Sequence, residues 1–212
     1  MPGYPNVIDW THANAIDYSS TDGNLIVSIR NQDWIVKIDY ANGKGDGHVI
    51  WKLGKGGSFT LKPLNKHDPW PWFSHQHNAN FVDAGDKTIE LLDNGNTRVD
   101  SSDGGNPVSC RGKALCDSRG QIYQLNMTTH VATQTLNANL GIYSHAQGSA
   151  QRLNNGNYFF TAGSIPGSTF LADDFEVTPL GKTVLSLSLY GSTEYRAWML
   201  PTLYSPLISI MK

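Results

Sequence analysis

The chain has 212 residues, with 16 Lys+Arg against 18 Asp+Glu and a net charge of −2 with His neutral. That balance, without any Lys/Arg-rich run, excludes an electrostatic nucleic-acid binder, which needs a basic face to neutralise phosphates. No stretch approaches the ~20 apolar residues that cross a bilayer, and the opening MPGYPNVIDW has neither the charged nor the apolar region of an export signal. Charged residues make up 16%, below the usual ~25%, while Gly, Asn, Ser and Thr are plentiful, which is a composition of turns and strands.

Along the chain, no segment sustains the apolar i, i+3, i+4, i+7 spacing of an amphipathic helix, whereas short alternating or β-branched runs bounded by Gly, Asn and Asp recur. Strands are predicted for LIVSIR (25–30), WIVKID (34–39), VIWKLG (49–54), TIELLD (88–93), QIYQLN (121–126), VATQTL (131–136), NYFFTAG (157–163) and TVLSLSL (183–189). The fold class is all-β. The Pro- and Trp-bearing HDPWPWF (67–73) reads as an extended lid or interface loop rather than a strand, or as packing against a neighbouring unit.

Self-similarity narrows the architecture. Three segments open on a polar residue and a His, pass through a short strand, turn at DGN, GDK or NNGN, and continue into three more strands; His12, His77 and His145 mark the openings, 65 and then 68 residues apart. A four-stranded antiparallel unit in tandem is the sequence form of a β-propeller blade. The units cover 9–54, 74–136 and 143–189, with a closing segment at 194–204 and insertions at 55–73 and 99–120. Three blades fall below the ~4–8 of a closed ring. The expectation is therefore the C-terminal half of a longer protein, a ring completed by a second copy, or an open arc.

In a propeller the first strand of each blade lines the central channel, so the three histidines would converge. Alternation places Asn14 on the face of His12. With Arg98 at the end of LLDNGNTR, the inventory suits a tetrahedral oxyanion, because a guanidinium offers a fork of donors and keeps its charge, and an imidazole serves as acid, base or nucleophile near neutral pH. The plainer alternative is that each His satisfies backbone groups at a strand end. HQH (75–77) has a spacing a strand can offer a metal, but its neighbours are Asn and Gln rather than Asp, Glu or Cys, so no metal is expected. No cofactor is expected either.

The blocks DWTHANAI (9–16), IVSIRNQDWIVKIDYANG (26–43), WKLGKGGSFTL (51–61), QHNA (76–79), LLDNGNTR (91–98) and YRAWMLPTLY (195–204) together resemble the bacterial aryl-sulfate sulfotransferase family. The resemblance implies a six-bladed propeller, periplasmic or secreted, that moves a sulfuryl group from a phenolic sulfate ester to a phenol through a sulfated histidine and without a nucleotide donor. By resemblance His12, His77 and Arg98 match the family's channel residues, with Arg and protonated imidazoles neutralising the sulfuryl oxygens. The nucleophile's place in TAGSIPGS is taken by Pro166, which leaves His145 as the local substitute or as a wall residue. Asn14, Asn78, Tyr195 and Arg196 are the accompanying substrate contacts, Tyr195 and Arg196 with strand packing as the alternative. Cys110 and Cys116, the only cysteines, then read as a disulfide of an oxidising compartment. A propeller that binds sulfated or phenolic ligands, or another protein, without turnover is the competing function.

Overall fold

The computed structural model describes residues 8–98, 117–167 and 170–201; the two cysteines and their expected disulfide lie outside the described residues. Thirteen strands and two short 3-10 turns make up the regular structure, and no α-helix occurs among the described residues. The first sheet has the order β1 (Ala13–Tyr18), β2 (Leu25–Ile29), β3 (Trp34–Ile38), β4 (Val49–Leu53). The third is built likewise from β10 (Ser149–Arg152), β11 (Tyr158–Ala162), β12 (Phe170–Val177) and β13 (Thr183–Tyr190). Between them stand β6 (His77–Phe81), β7 (Thr88–Asp93), β8 (Arg119–Asn126) and β9 (Val131–Asn139), extended beyond β9 by β5 (Thr60–Lys62).

Each sheet is an up-and-down antiparallel meander of sequence-adjacent strands. The exception is β5, which lies inside the stretch read as an insertion and pairs with β9 in parallel, Thr60 against Val131 and Lys62 against Thr133. HDPWPWF forms no strand. Its Trp72 stacks on Tyr123 at 5.8 Å and Phe73 meets the same ring edge-on, so these two rings pack on the second sheet.

Two apolar clusters hold the sheets together, and alternation along β7 and β8 divides residues between them. Ile89, Leu91 and Tyr123 join Ile26, Ile35, Trp51 and Leu53 of the first sheet, while Leu92 and Ile122 join Ala150, Phe160, Ala162 and Phe175 of the third. The second sheet is thus apolar on both faces, which is why TIELLD reads as a nearly continuous hydrophobic run. Gly120 of β8 shows how close the second contact is. A Cβ there would be driven into the Phe160 ring. Gly120→Ala is accordingly expected to cost about 1–3 kcal/mol through overpacking, partly recovered with Phe160→Leu; denaturant unfolding of the single and double variants checks it.

Facing inward, β1, β6 and β10 form the free edges of their sheets at this end and lie against one another. A polar side chain from each reaches the next backbone. Asn14 Nδ2 donates to the Gln76 carbonyl at 2.7 Å, Asn78 Oδ1 accepts the Ala150 N–H at 2.9 Å, and Ser149 Oγ donates to the Ala197 carbonyl at 3.0 Å. Every such bond satisfies a backbone group that the edge would otherwise leave orphaned.

Candidate functional site

Ahead of these inner strands lie three chain segments that open with a hydroxyl residue and a histidine: Thr11-His12, Ser74-His75 and Ser144-His145. They are knitted together by hydrogen bonds from Arg30, Asp33, Asn94 and Asn96. Arg30, at the start of the 3-10 turn after β2, donates its N–H to the His12 carbonyl at 3.3 Å and Nη2 to the His145 carbonyl at 3.1 Å. Asn96 Nδ2 also donates to His145 O, at 2.7 Å, and Asn94 Nδ2 to Ser144 O at 2.8 Å. Asp33, in a left-handed conformation beside Arg30, accepts the His75 N–H at 2.6 Å and faces His75 Nδ1 at 3.1 Å.

His12 is exposed, and its Nδ1 pairs with the Asp9 carboxylate. That hydrogen bond holds Asp9 below its ordinary carboxylate pKa. With Nδ1 as the donor to Asp9, Nε2 is the nitrogen left to act as base or nucleophile, in the manner of a carboxylate-oriented imidazole. His145, also exposed, has Nδ1 3.1 Å from the Ser164 carbonyl, so that Nδ1 is again the engaged nitrogen. Alternation does not put Asn14 beside His12 as expected. His12 precedes β1 with φ of 48°, which turns its side chain outward while Asn14 is buried and bonded to Gln76.

His77 is different in kind. Only 3% exposed, it shares Nδ1 with Asn94 Oδ1 at 2.7 Å, and its Nε2 accepts the Gln147 N–H at 3.2 Å. Both nitrogens are engaged, which fixes the neutral Nδ1–H tautomer. Burial, with the neighbouring charges of Arg30 and His12, brings its pKa down to about 4. The imidazole therefore carries no charge at neutral pH, in contrast to the protonated group expected at this position. Its bonds tie the end of β7 to the His145 loop.

Arg98 lies in the interior. Its side chain is wholly buried, ion-paired to the equally buried Asp93, and donates Nη1 to the Asp117 carbonyl at 2.7 Å. Burial draws its pKa down to about 9, so it remains charged at pH 7. Asn78 is buried between inner strands. Arg196 bridges to the Asn14 carbonyl at 2.5 Å and lies 5.3 Å from the centre of the Tyr195 ring. The structure thus brings His12, His77 and His145 together, with Arg196 reaching the adjacent strand, and puts Arg98 in the interior.

Two participants, Arg30 and Asp9, were given no role by the sequence, and His75 was weighed there only as half of a metal pair. The Ser/Thr-His dipeptide, repeated in all three units, is the signal that identifies His75, which the QHNA block had passed over for His77. A further trio, Asp39, Asp46 and His48, holds potential ligand atoms within 4.8 Å of one another, but on an exposed turn where His48 is bonded to Asp46 at 2.6 Å.

The arylsulfotransferase (ASST) family profile matches residues 1–187. The chain belongs to the arylsulfotransferase family. No individual curated protein matches it significantly. The family assignment bears out the resemblance drawn from DWTHANAI, QHNA and LLDNGNTR, and the all-β meanders agree with it in class. Among the described residues no helix is long and apolar enough to cross a membrane.

Proposed function

We propose that this arylsulfotransferase-family chain forms part of a β-propeller and transfers a sulfuryl group from a phenolic sulfate ester to a phenol. The observation that carries the reading is that Arg30 joins the His12 and His145 segments, its backbone N–H on the His12 carbonyl and Nη2 on the His145 carbonyl, with each imidazole's Nδ1 held by an acceptor. An unprotonated Nε2 attacks sulfur, the S–O bond to the aryl oxygen breaks, and the phenolate departs with its electron pair. The acceptor phenol then attacks the sulfo-histidine, loses its proton, and the S–N bond breaks. His145 and His12 are the two candidates for this atom, whereas the engaged nitrogens of His77 suit it to orienting the His145 loop.

The three meanders with inner strands β1, β6 and β10 are read as adjacent blades. The ring is completed by further blades of the same protein or by a second copy. A periplasmic or secreted location and a disulfide between Cys110 and Cys116 accompany this reading, with Arg98 acting from the interior by holding Asp93 and the adjoining Asn94.

The purified protein should release p-nitrophenolate from p-nitrophenyl sulfate in proportion to added phenol. Peptide mass spectrometry at alkaline pH should find the sulfo group on His145 or His12, and replacing that residue by Asn should lower turnover by about a hundredfold or more. A second reading, a ligand-binding propeller without turnover, is favoured by Pro166 at the family's nucleophile position; it is the outcome if no release occurs from folded protein.

A further inference from the structure

Strand β7 carries two buried carboxyl groups, and their partners differ. Asp93 is paired with the Arg98 guanidinium. Glu90, only 2% exposed, has an amide instead: it lies across from Asn80 of β6, whose Nδ2 donates to Glu90 Oε1 at 2.7 Å. The same oxygen takes the Arg152 N–H of β10 at 3.1 Å. The Arg152 guanidinium lies over the Tyr158 ring, 4.5 Å from its centre. Both donors to the carboxyl group therefore fall on one of its oxygens. The other, Oε2, is buried without a hydrogen-bond partner among the described residues, and so is Asn80 Oδ1.

An ionised Glu90 would keep a negative oxygen buried with nothing donating to it, and Asn80 would keep a second orphan acceptor, both at a cost in free energy. One proton on Oε2 removes both deficits. A carboxylic acid and a primary amide are complementary, since each offers one donor and one acceptor side by side. Nδ2 on Oε1 and Oε2 on Oδ1 make a planar two-bond pair. The charged groups acting on Glu90 are Arg152 of β10 and Asp17 of β1, which are opposite in sign; Asp17 Oδ2 itself accepts the Phe81 N–H at 2.9 Å. The nearby Tyr158 phenol of β11 is held neutral by burial, and burial likewise favours the acid form of Glu90.

Glu90 sits where β6, β7 and β10 meet. β6 is the edge strand of its sheet, bonded only to β7, and it carries His77 and Asn78. Through Asn78 Oδ1 it also holds the Ala150 N–H of β10 at 2.9 Å. A bond gained or lost between Asn80 and Glu90 therefore bears on the seating of a strand that joins the second unit to the third.

We infer that Glu90 and Asn80 form a carboxylic acid–amide pair, with the Oε2 proton donated to Asn80 Oδ1, and that this proton is a pH-operated latch holding β6 at its junction with β7 and β10. Below the titration of Glu90 both bonds are made. Above it Oε2 is an anion, the bond to Oδ1 is gone, and β6 is held by one side-chain bond less.

Carboxyl NMR of protein carrying 13C at the glutamate carboxyls tests the pair. The glutamates are Glu90, Glu176 and Glu194, so the resonance missing from Glu90→Gln is that of Glu90. At pH 6 it should lie at the carboxylic acid position, crossing to the carboxylate position with a midpoint of about 7. The Asn80 side-chain amide resonances should move with the same midpoint. Protection of the Ala150 N–H against hydrogen exchange should fall about fivefold across that titration, the worth of one hydrogen bond. In Glu90→Gln, whose amide makes both bonds at every pH, it should not fall. Should that variant fail to fold, side-chain correlation spectra of the wild type assign the resonance, and Asn80→Leu, which lacks the acceptor, should abolish the pH dependence of protection. A Glu90 already ionised at pH 6, Asn80 resonances indifferent to its titration, or Ala150 protection that stays constant in the wild type or falls equally in either variant would each overturn the inference.

Discussion

Replacing Asp93 by Ala is expected to destabilise the protein by about 3–5 kcal/mol, the loss seen when one member of a buried ion pair is removed. Asp93 and Arg98 both have fully buried side chains, and the Asp93 carboxylate also accepts the Ser74 N–H at 2.9 Å. The variant therefore strips the guanidinium of its counter-ion, leaves a backbone donor at the head of the second unit unmade, and opens a small cavity. The next residue along is Asn94, whose side chain holds His77 Nδ1 and the Ser144 carbonyl. Loosening it should disturb the His145 loop before the fold is lost, so residual activity should fall faster with temperature than the circular dichroism signal. Asp93→Asn should cost less, because it can keep the bond from Ser74. Denaturant unfolding gives the magnitudes, and a cost for Asp93→Ala below about 1 kcal/mol would mean that water or another group compensates Arg98. Arg98→Lys is not a mild change here, since an ammonium cannot reproduce the guanidinium's separate bonds to Asp93 and the Asp117 carbonyl.

The strands that were plain in the sequence are those packed against an apolar cluster. TIELLD coincides with β7, and the runs at 121–126 and 131–136 lie within β8 and β9; the run at 183–189, within β13, is the exception, apolar in alternation yet largely exposed. The inner strands left no such signal. β6 reads HNANF and β10 reads SAQR, because each buries only a small side chain, Ala79 or Ala150, in an apolar cluster while its polar ones satisfy neighbouring backbones. A strand whose work is hydrogen bonding looks, in sequence, like a polar loop. β5 is three residues long and defined by a partner some seventy positions away, which no local pattern encodes.

The site divides along similar lines. Repetition exposed the histidine openings, since equivalent places in tandem units carry equivalent residues. What each histidine does depended on burial that repetition does not report: His12 and His145 are exposed, and His77 is sealed beneath them. Arg98 was singled out by its motif and proves to be paired to a carboxylate five positions earlier. Arg30 drew no notice as the last residue of a hydrophobic run. Only the third unit's approach ties it to the His145 segment, through that residue's carbonyl.

The second large effect concerns two buried titratable groups with opposite slopes. Glu90 of β7 is 2% exposed, accepts from Asn80 Nδ2 at 2.7 Å and from the Arg152 N–H at 3.1 Å, and burial raises its pKa from 4.5 to about 7. Between those values the folded state holds a proton that the unfolded chain has lost, so stability falls as pH rises from 4.5 through 7. His77 runs the other way: its pKa drops from 6.5 to about 4 on folding, so the unfolded chain binds the extra proton and stability falls as pH drops from 6.5 through 4. Each shift amounts to roughly 3 kcal/mol over its full window at ~1.4 kcal/mol per pKa unit. Where the windows overlap, from 4.5 to 6.5, the slopes largely cancel and the wild type should show a flat maximum. Glu90→Gln should remove the falling limb, making the protein more stable than wild type at pH 8 by up to roughly 3 kcal/mol and leaving only the loss below pH 6.5. His77→Gln should expose the Glu90 limb, with stability declining steadily from pH 4.5 to 7. Urea unfolding of the three proteins across pH 4–8 decides the matter. A Glu90→Gln curve parallel to the wild type throughout would mean that Glu90 is ionised and compensated in the fold, and that Arg152 rather than a retained proton neutralises it.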